Sequence, residues 1–540
     1  MKKIAYGVVA CIAAASLFTL ASCHRHDDSP DCTGDCLTAA LQSKVSTVVV
    51  IFAENRSFDN LYGLFPGANG IPGVNASATG TLIAQTDRNA AGTTLAKLPQ
   101  TWGGVTAAGQ TPVVTQAQSD NLANQPFRID TAFGIGTSVI TRDLYHRFFE
   151  NQMQINGGKN DKFAGYADSG GLVMGYYDGS SMAMWNIAKQ NVLADNFFMG
   201  AFGGSFLTHQ YLVCACAPEY PNADTAAAHP TIAVVDTDSS GKLLPRLTLA
   251  ATAPASALDG PPTFVLSGNI APKNYFGDAT FRAINTMQPA YQPSGNAPAA
   301  SDTTGLFANP AATTTLPPQT QATIGDRLAA KGINWKWYAG AWANASANRS
   351  VIYNGTVPNF QAHHHPFNYF AAMDPVANAT ARAAHLKDYT DLVSDAAAGT
   401  LPPVVFYKPE GDLNQHPGYA PVAAGDAHIA DVVAKLQASP QYAGMVIVVT
   451  YDENGGFWDH VAPPKGDLLG PSSRLPAIIV SPFGKKGTVD HTQYDTGSIL
   501  RLITRRFGLD PLPGVAARDA ALVANGGVPM GDLTNALTLR

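Results

Sequence analysis

Apolar runs ending in acids alternate along this chain with stretches of helical spacing. Met445-Val-Ile-Val-Val-Thr-Tyr451 is a continuous, largely β-branched run, the pattern of a strand buried on both faces. Asp452 and Glu453 stand where it ends, Gly455-Gly456 permits a tight turn, and Asp459 and His460 follow. Residues 45–52 repeat the pattern and run into Glu54-Asn55. Further strands are predicted over 193–199, 333–338, 402–407 and 474–480. Helices are predicted over 182–191, 323–331, 426–436 (capped by Asp426) and from Asp495 to Gly508. The spacing over 141–152 also reads as helical and places His146 on that helix. Strands alternating with helices predict an α/β fold, a mostly parallel sheet covered on both faces. Ligands of such sheets sit beyond the carboxyl ends of the strands, where this chain puts its acids.

The 540-residue length accommodates a large core. Only 14% of residues are charged, and Gly 50 and Pro 37 point to long surface connections. The net charge of -6 and the absence of long Lys/Arg blocks give no support to nucleic-acid binding. Met1-Lys2-Lys3 followed by an apolar segment over 4–20 has signal-peptide form and is too short for a membrane span. Leu20-Ala21-Ser22-Cys23 resembles the lipobox of bacterial lipoproteins, which implies cleavage before Cys23 and a lipid on its thiol. The expected organisation is a signal peptide over 1–22, a tether over 23–44 and one domain over 45–540. That domain carries an Ala/Pro/Thr-rich insertion at about 224–321, with short strands near 263–266. Export to the bacterial envelope follows, with the lipid as a membrane anchor, or otherwise a periplasmic or secreted protein. Cys32, Cys36, Cys214 and Cys216 then suit two disulfides of unspecified pairing.

Glu54 and Asn55 are hard oxygen ligands of the kind Mg²⁺, Ca²⁺ or Mn²⁺ prefers, although Glu54 also suits a helix cap. Ser205 follows Gly203-Gly204 after a strand, a place for either a helix N-cap or an exposed nucleophile. The surroundings do not match Gly-x-Ser-x-Gly, so an α/β-hydrolase elbow is unsupported. His363, His364 and His365 are consecutive and cannot all face one ion.

Four motifs in order resemble the bacterial phosphoesterase family of phospholipases C and acid phosphatases. They are Glu54-Asn55-Arg56-Ser57-Phe58-Asp59, Gly157-Gly158-Lys159-Asn160-Asp161, Asn414-Gln415-His416-Pro417-Gly418 and Tyr451-Asp452-Glu453-Asn454-Gly455-Gly456. Gly203-Gly204-Ser205-Phe206-Leu207-Thr208-His209-Gln210 looks like the branch of the Francisella respiratory-burst-inhibiting acid phosphatase. The phospholipase C branch has threonine followed by Pro-Asn-Arg there. The resemblance implies an alkaline-phosphatase-like α/β/α sandwich and a phosphoserine intermediate on Ser205. It also implies one divalent metal ion held by Glu54, Asn55, Ser205, Asp452 and Glu453, with His146, His364 and His416 around the phosphate. Glu453 departs from the aspartate of that branch. The implied activity is metal-dependent acid hydrolysis of phosphorylated small molecules, with phospholipase C as the alternative. A metal there would lower the pKa of the serine hydroxyl. Cationic histidines binding the phosphoryl oxygens would favour acid pH.

Overall fold

A computed structural model describes residues 34–539; the expected signal peptide over 1–22, the expected lipid site Cys23 and the expected disulfide partner Cys32 lie outside them. Nine strands form the main sheet: β1 Thr47–Ala53, β2 Val192–Phe198, β3 Trp335–Ala339, β4 Leu386–Asp388, β5 Val404–Lys408, β6 Met445–Tyr451, β7 Arg474–Val480, β8 Thr488–Asp490 and β9 Tyr494–Asp495. Their order is β8-β2-β7-β6-β1-β5-β3-β4, with β9 also pairing β2. Neighbours pair in parallel except across β7, which is antiparallel to β6 and β2. Every residue of β1 and β6 is buried. This explains their unbroken apolar runs, because both faces of the central strands are covered. The expected α/β sandwich is what the chain forms.

The helices that matter here are α1 Asp35–Lys44, α2 Phe148–Ile155, α3 Ala183–Gln190, α4 Ser205–Cys214, α5 Val422–Gln437 and α6 Thr496–Phe507. Five of them pack in two groups, α1 and α4 against α6, and α3 against α5, while α2 packs against Phe163–Tyr166 and Leu243–Leu247. Helix α6 begins after Asp495 and is closed by Gly508 at φ +61°, as its sequence signals. Among the described residues no helix is long and apolar enough to cross a membrane.

Four expectations need correcting. Residues 35–44, expected as tether, form α1, with Leu41 buried and Gln42 donating to the Arg505 carbonyl at 3.2 Å. Asp426 does not begin α5 but lies inside it, and its carboxylate accepts from the Ala183 and Met184 amides at 2.7 and 3.1 Å. It caps a neighbour, a tertiary use of a capping residue. His146 is in an irregular segment before α2 rather than on a helix. In the insertion the paired strands are Val235–Thr237 and Leu243–Leu247, and Phe264 makes only an isolated bridge to Leu249. Cys214 and Cys216 form a disulfide, and Cys36 is also disulfide-bonded.

Candidate active site

Ala53 of β1 lies opposite Tyr451 of β6, and Ile51 opposite Tyr407 of β5. This register brings the carboxyl ends of three adjacent parallel strands level, delivering Glu54, Asp452 and Lys408 side by side. Asp452 donates its amide to the Ala53 carbonyl at 3.0 Å. Asn55, at φ +60°, donates its own amide to Asp452 Oδ1 at 3.0 Å. Arg56 is buried and donates from Nη2 to the Gln415 carbonyl at 2.7 Å. It thereby ties the loop bearing His416 to the end of β1.

Ser205 arrives from β2 as the first residue of α4. Gly203, at φ +97°, is required there: a Cβ would sit 2.8 Å from the Phe148 backbone. Ser205 Oγ donates at 3.4 Å toward both Glu54 Oε2 and Asn55 Oδ1. The first amides of a helix have no intrahelical acceptor and favour an anion at this end. His146, Arg147, Ser205, Asn269, Asn285 and His363 are among the residues lining a cavity of about 100 Å³. Four of these were not expected in the site: Arg147, His363 (where His364 was expected), and Asn269 and Asn285 from the insertion. Arg147 Nη2 donates to the carbonyls of Ser267 and Gly268 and to Asn269 Oδ1, at 2.6, 3.1 and 3.0 Å. It pins the insertion across the mouth.

The histidine tautomers follow from their carbonyl partners. Nδ1 of His146 donates to Leu144, that of His209 to Ser205 and that of His416 to Pro417. The Nε2 of a neutral ring then accepts; accordingly Asn55 Nδ2 approaches His146 Nε2 at 3.4 Å. His416 Nε2 is 3.9 Å from Glu54 Oε2 and His364 Nδ1 3.1 Å from Glu54 Oε1. His364 therefore joins the cluster, His363 joins the cavity wall, and His365 turns away to pack on Trp342.

Burial, with the Asp452 charge, raises the Glu54 pKa well above the usual range, and the same two causes raise Glu453. Burial lowers His364 and His416 well below the usual histidine value, aided by His363 and His146 respectively. His363 falls to about 3, chiefly through burial. The expectation of a cationic histidine thus does not describe His364 or His416, because burial disfavours their charge.

The donor set suits a divalent cation. Glu54, His209 and Asp452 present ligand atoms within 4.8 Å of one another, with Asn55 and Ser205 beside them. Asp452 Oδ2 and Glu453 Oε1 are buried without a hydrogen-bond partner among the described residues, as lone pairs awaiting a cation are. Glu453 stands apart from the tight group, with Oε1 3.5 Å from His146 Nε2. Sequence reasoning missed His209, which hides inside an apolar helix, and Lys408, a lone lysine ending a strand.

Asp459 and His460 do not join Ser205. His460 Nδ1 meets Asp59 at 2.7 Å, and Arg474 meets both Asp59 and Asp459 at 3.0 Å. This buried network binds the loops after β1 and β6 to the start of β7, and its charges satisfy one another.

The phosphoesterase family model matches residues 45–510. Phospholipase C B of Mycobacterium tuberculosis is 32% identical over 224 residues, 36% of this chain and 41% of its own. Non-hemolytic phospholipase C of Pseudomonas aeruginosa is 27% identical over 224 residues, 35% of this chain and 30% of its own. The matched part thus spans less than half the length of these curated relatives. A solved phosphonate monoester hydrolase from Silicibacter pomeroyi is similar at 10% identity, with a TM-score of 0.26, covering 64% of this chain and 72% of its own. With the family model matched across the sheet, the strand-end acids and Ser205, this chain belongs to the phosphoesterase family.

Proposed function

We propose that the protein is a metal-dependent phosphatase that hydrolyses phosphomonoesters through a phosphoserine on Ser205. The observation that carries this reading is the approach of Ser205 Oγ to Glu54 Oε2 and Asn55 Oδ1, both at 3.4 Å, at a helix N-terminus. Glu54, Asn55 and Asp452, with His209 adjacent, would hold one divalent ion. When bound, such an ion supplies charge to a phosphoryl oxygen and acidifies the serine hydroxyl. Ser205 Oγ attacks phosphorus in line with the leaving oxygen, and Asn55 and the first amides of α4 orient the phosphoryl oxygens. His146 and His416 flank this point and are placed to protonate the departing alcohol. An incoming dianion raises the pKa of a histidine it touches, restoring to His416 the charge that burial removes; this supports activity that falls as pH rises. Water then releases phosphate from Ser205 by the reverse geometry.

A compact cavity of about 100 Å³, walled by Arg147, Asn269 and Asn285, suits a small polar leaving group. The signal-like residues 1–22 and Cys23 support export with a lipid anchor, which palmitate labelling of the wild type and Cys23→Ser would test.

Phospholipase C activity is the second reading, favoured by the names of the relatives above. One experiment separates the two. Purified protein and Ser205→Ala are assayed on p-nitrophenyl phosphate and on phosphatidylcholine, with and without chelator. The phosphatase reading expects monoester turnover that Ser205→Ala reduces at least about 10³-fold while remaining folded. Turnover of phosphatidylcholine alone would replace it with the second reading.

A further inference from the structure

Lys408 ends β5 in the middle of the acids. Its ammonium pairs with Glu54 Oε1, lies 3.5 Å from the Ala53 carbonyl oxygen and sits 5.7 Å from the centre of the Phe52 ring. Its side chain is 2% exposed. The register of β1 with β5 makes this placement a property of the sheet, since Lys408 falls level with Phe52. His364 Nδ1 shares Glu54 Oε1 at 3.1 Å, so Oε2 is the oxygen turned toward Ser205.

We propose that Lys408 is a built-in cation of the acidic cluster and limits it to one divalent ion. The proposal rests on the reading that Glu54, Asn55 and Asp452 hold such an ion. Glu54, Asp452 and Glu453 are buried and bring three negative charges when ionised. Lys408 cancels one of them, and one divalent ion cancels the other two. A second divalent ion would leave buried positive charge uncompensated and would compete with Lys408 for Glu54, both strongly unfavourable. Lys408 also fixes which Glu54 oxygen is free, and so acts as a positioning residue through Glu54 rather than on the substrate.

The test is metal binding, read apart from activity. Metal-free wild type is titrated with Mn²⁺ by calorimetry, and bound metal is counted by plasma mass spectrometry. Wild type is expected to take one ion per chain. Lys408→Met leaves three uncancelled carboxylates and should bind Mn²⁺ at least about tenfold tighter, or take a second ion, because a nearby like charge has gone. Lys408→Arg keeps the charge and should restore one ion with near wild-type affinity. A lysine that merely propped up the structure would loosen the site when removed, so unchanged or weaker Mn²⁺ binding by a folded Lys408→Met overturns the proposal. Two ions per wild-type chain overturns it as well while leaving the metal reading intact, and this arm decides the matter should Lys408→Met not fold. No Mn²⁺ bound by wild type removes the metal reading and the proposal together.

Discussion

The backbone amide of Asn55 donates to Asp452 Oδ1 at 3.0 Å, joining the ends of two adjacent parallel strands. Because Ala53 and Tyr451 are paired in register, the sheet itself aligns the residues that surround Ser205. The precision of the site is therefore a consequence of strand pairing, and loops need only hold what the strands have placed.

Gly455 is where this arrangement is easiest to break. At φ +61°, an added Cβ would lie 2.3 Å from the Asn55 carbonyl oxygen and 2.8 Å from Asn55 Cβ. Gly455→Ala should cost about 1–3 kcal/mol through backbone strain and lower kcat/KM at least about tenfold by moving Asn55. Gly508 has the same φ with nothing within 4 Å, so Gly508→Ala should cost about 1 kcal/mol and leave kcat unchanged. Urea denaturation and steady-state kinetics on both variants check this. Equal activity losses would sink the explanation.

The parts legible beforehand were those with a local signature. Buried parallel strands announce themselves as apolar runs, and acids just beyond them mark the ligand edge, so Glu54, Asn55 and Asp452 were readable. Ser205 was visible as a residue after two glycines; the structure makes Gly204 the N-cap and Ser205 the first helical residue, and the proposed nucleophile role was suggested only by the family motifs. Lys408 was not legible, because a lysine ending a strand ordinarily reaches solvent and only sheet register shows it pointing at Glu54. Arg147, Asn269 and Asn285 escaped for a different reason: they meet through tertiary folding of an insertion without periodicity. Asp426 looked like the cap of its own helix but caps α3 instead, since side-chain direction across a helix pair is not a local property.

Arg147 should control substrate access. Its Nη2 holds residues 267–269 through three acceptors, and Asn285 Nδ2 donates to the Gly268 carbonyl at 2.6 Å. Arg147→Ala should free this wall and raise KM for p-nitrophenyl phosphate about tenfold, with kcat within about threefold, because Ser205 is left in place. Stability should fall by about 1.5–3 kcal/mol, the range for hydrogen bonds to a charged group. A collapse of kcat at unchanged KM would show that Arg147 acts in the chemical step instead.

Metal addition should stabilise the protein more at pH 8 than at pH 5. Burial and the Asp452 charge raise the folded pKa of Glu54 and Glu453. The folded state then holds protons that the unfolded chain releases above about 4.5, and stability is lost as pH rises toward the folded values. A bound divalent ion reverses this by favouring the ionised forms. Melting curves with Mn²⁺ and with chelator at both pH values measure the difference, and an equal shift at pH 5 and pH 8 would refute it.

His428 supplies an acid-side effect away from the site. The Tyr407 hydroxyl is 2.6 Å from His428 Nε2, and the ring packs edge-on against Tyr389 at 5.1 Å. Burial, opposed by Asp431 and aided by Lys435, lowers its pKa to about 4, whereas in an unfolded chain it titrates near ~6.5. Between these values the unfolded chain binds the extra proton, so stability is fully present above about pH 6.5 and declines toward pH 4. That window of about 2.5 pKa units is worth about 3.4 kcal/mol at 1.36 kcal/mol per unit. His428→Gln keeps an acceptor for Tyr407 but cannot take up the proton in this range. Its urea midpoint should therefore fall less than that of the wild type between pH 7.5 and 4.5, by an amount equivalent to about 2 kcal/mol. Parallel declines in the two proteins would mean that other buried histidines, among them His364 and His416, account for the whole acid sensitivity.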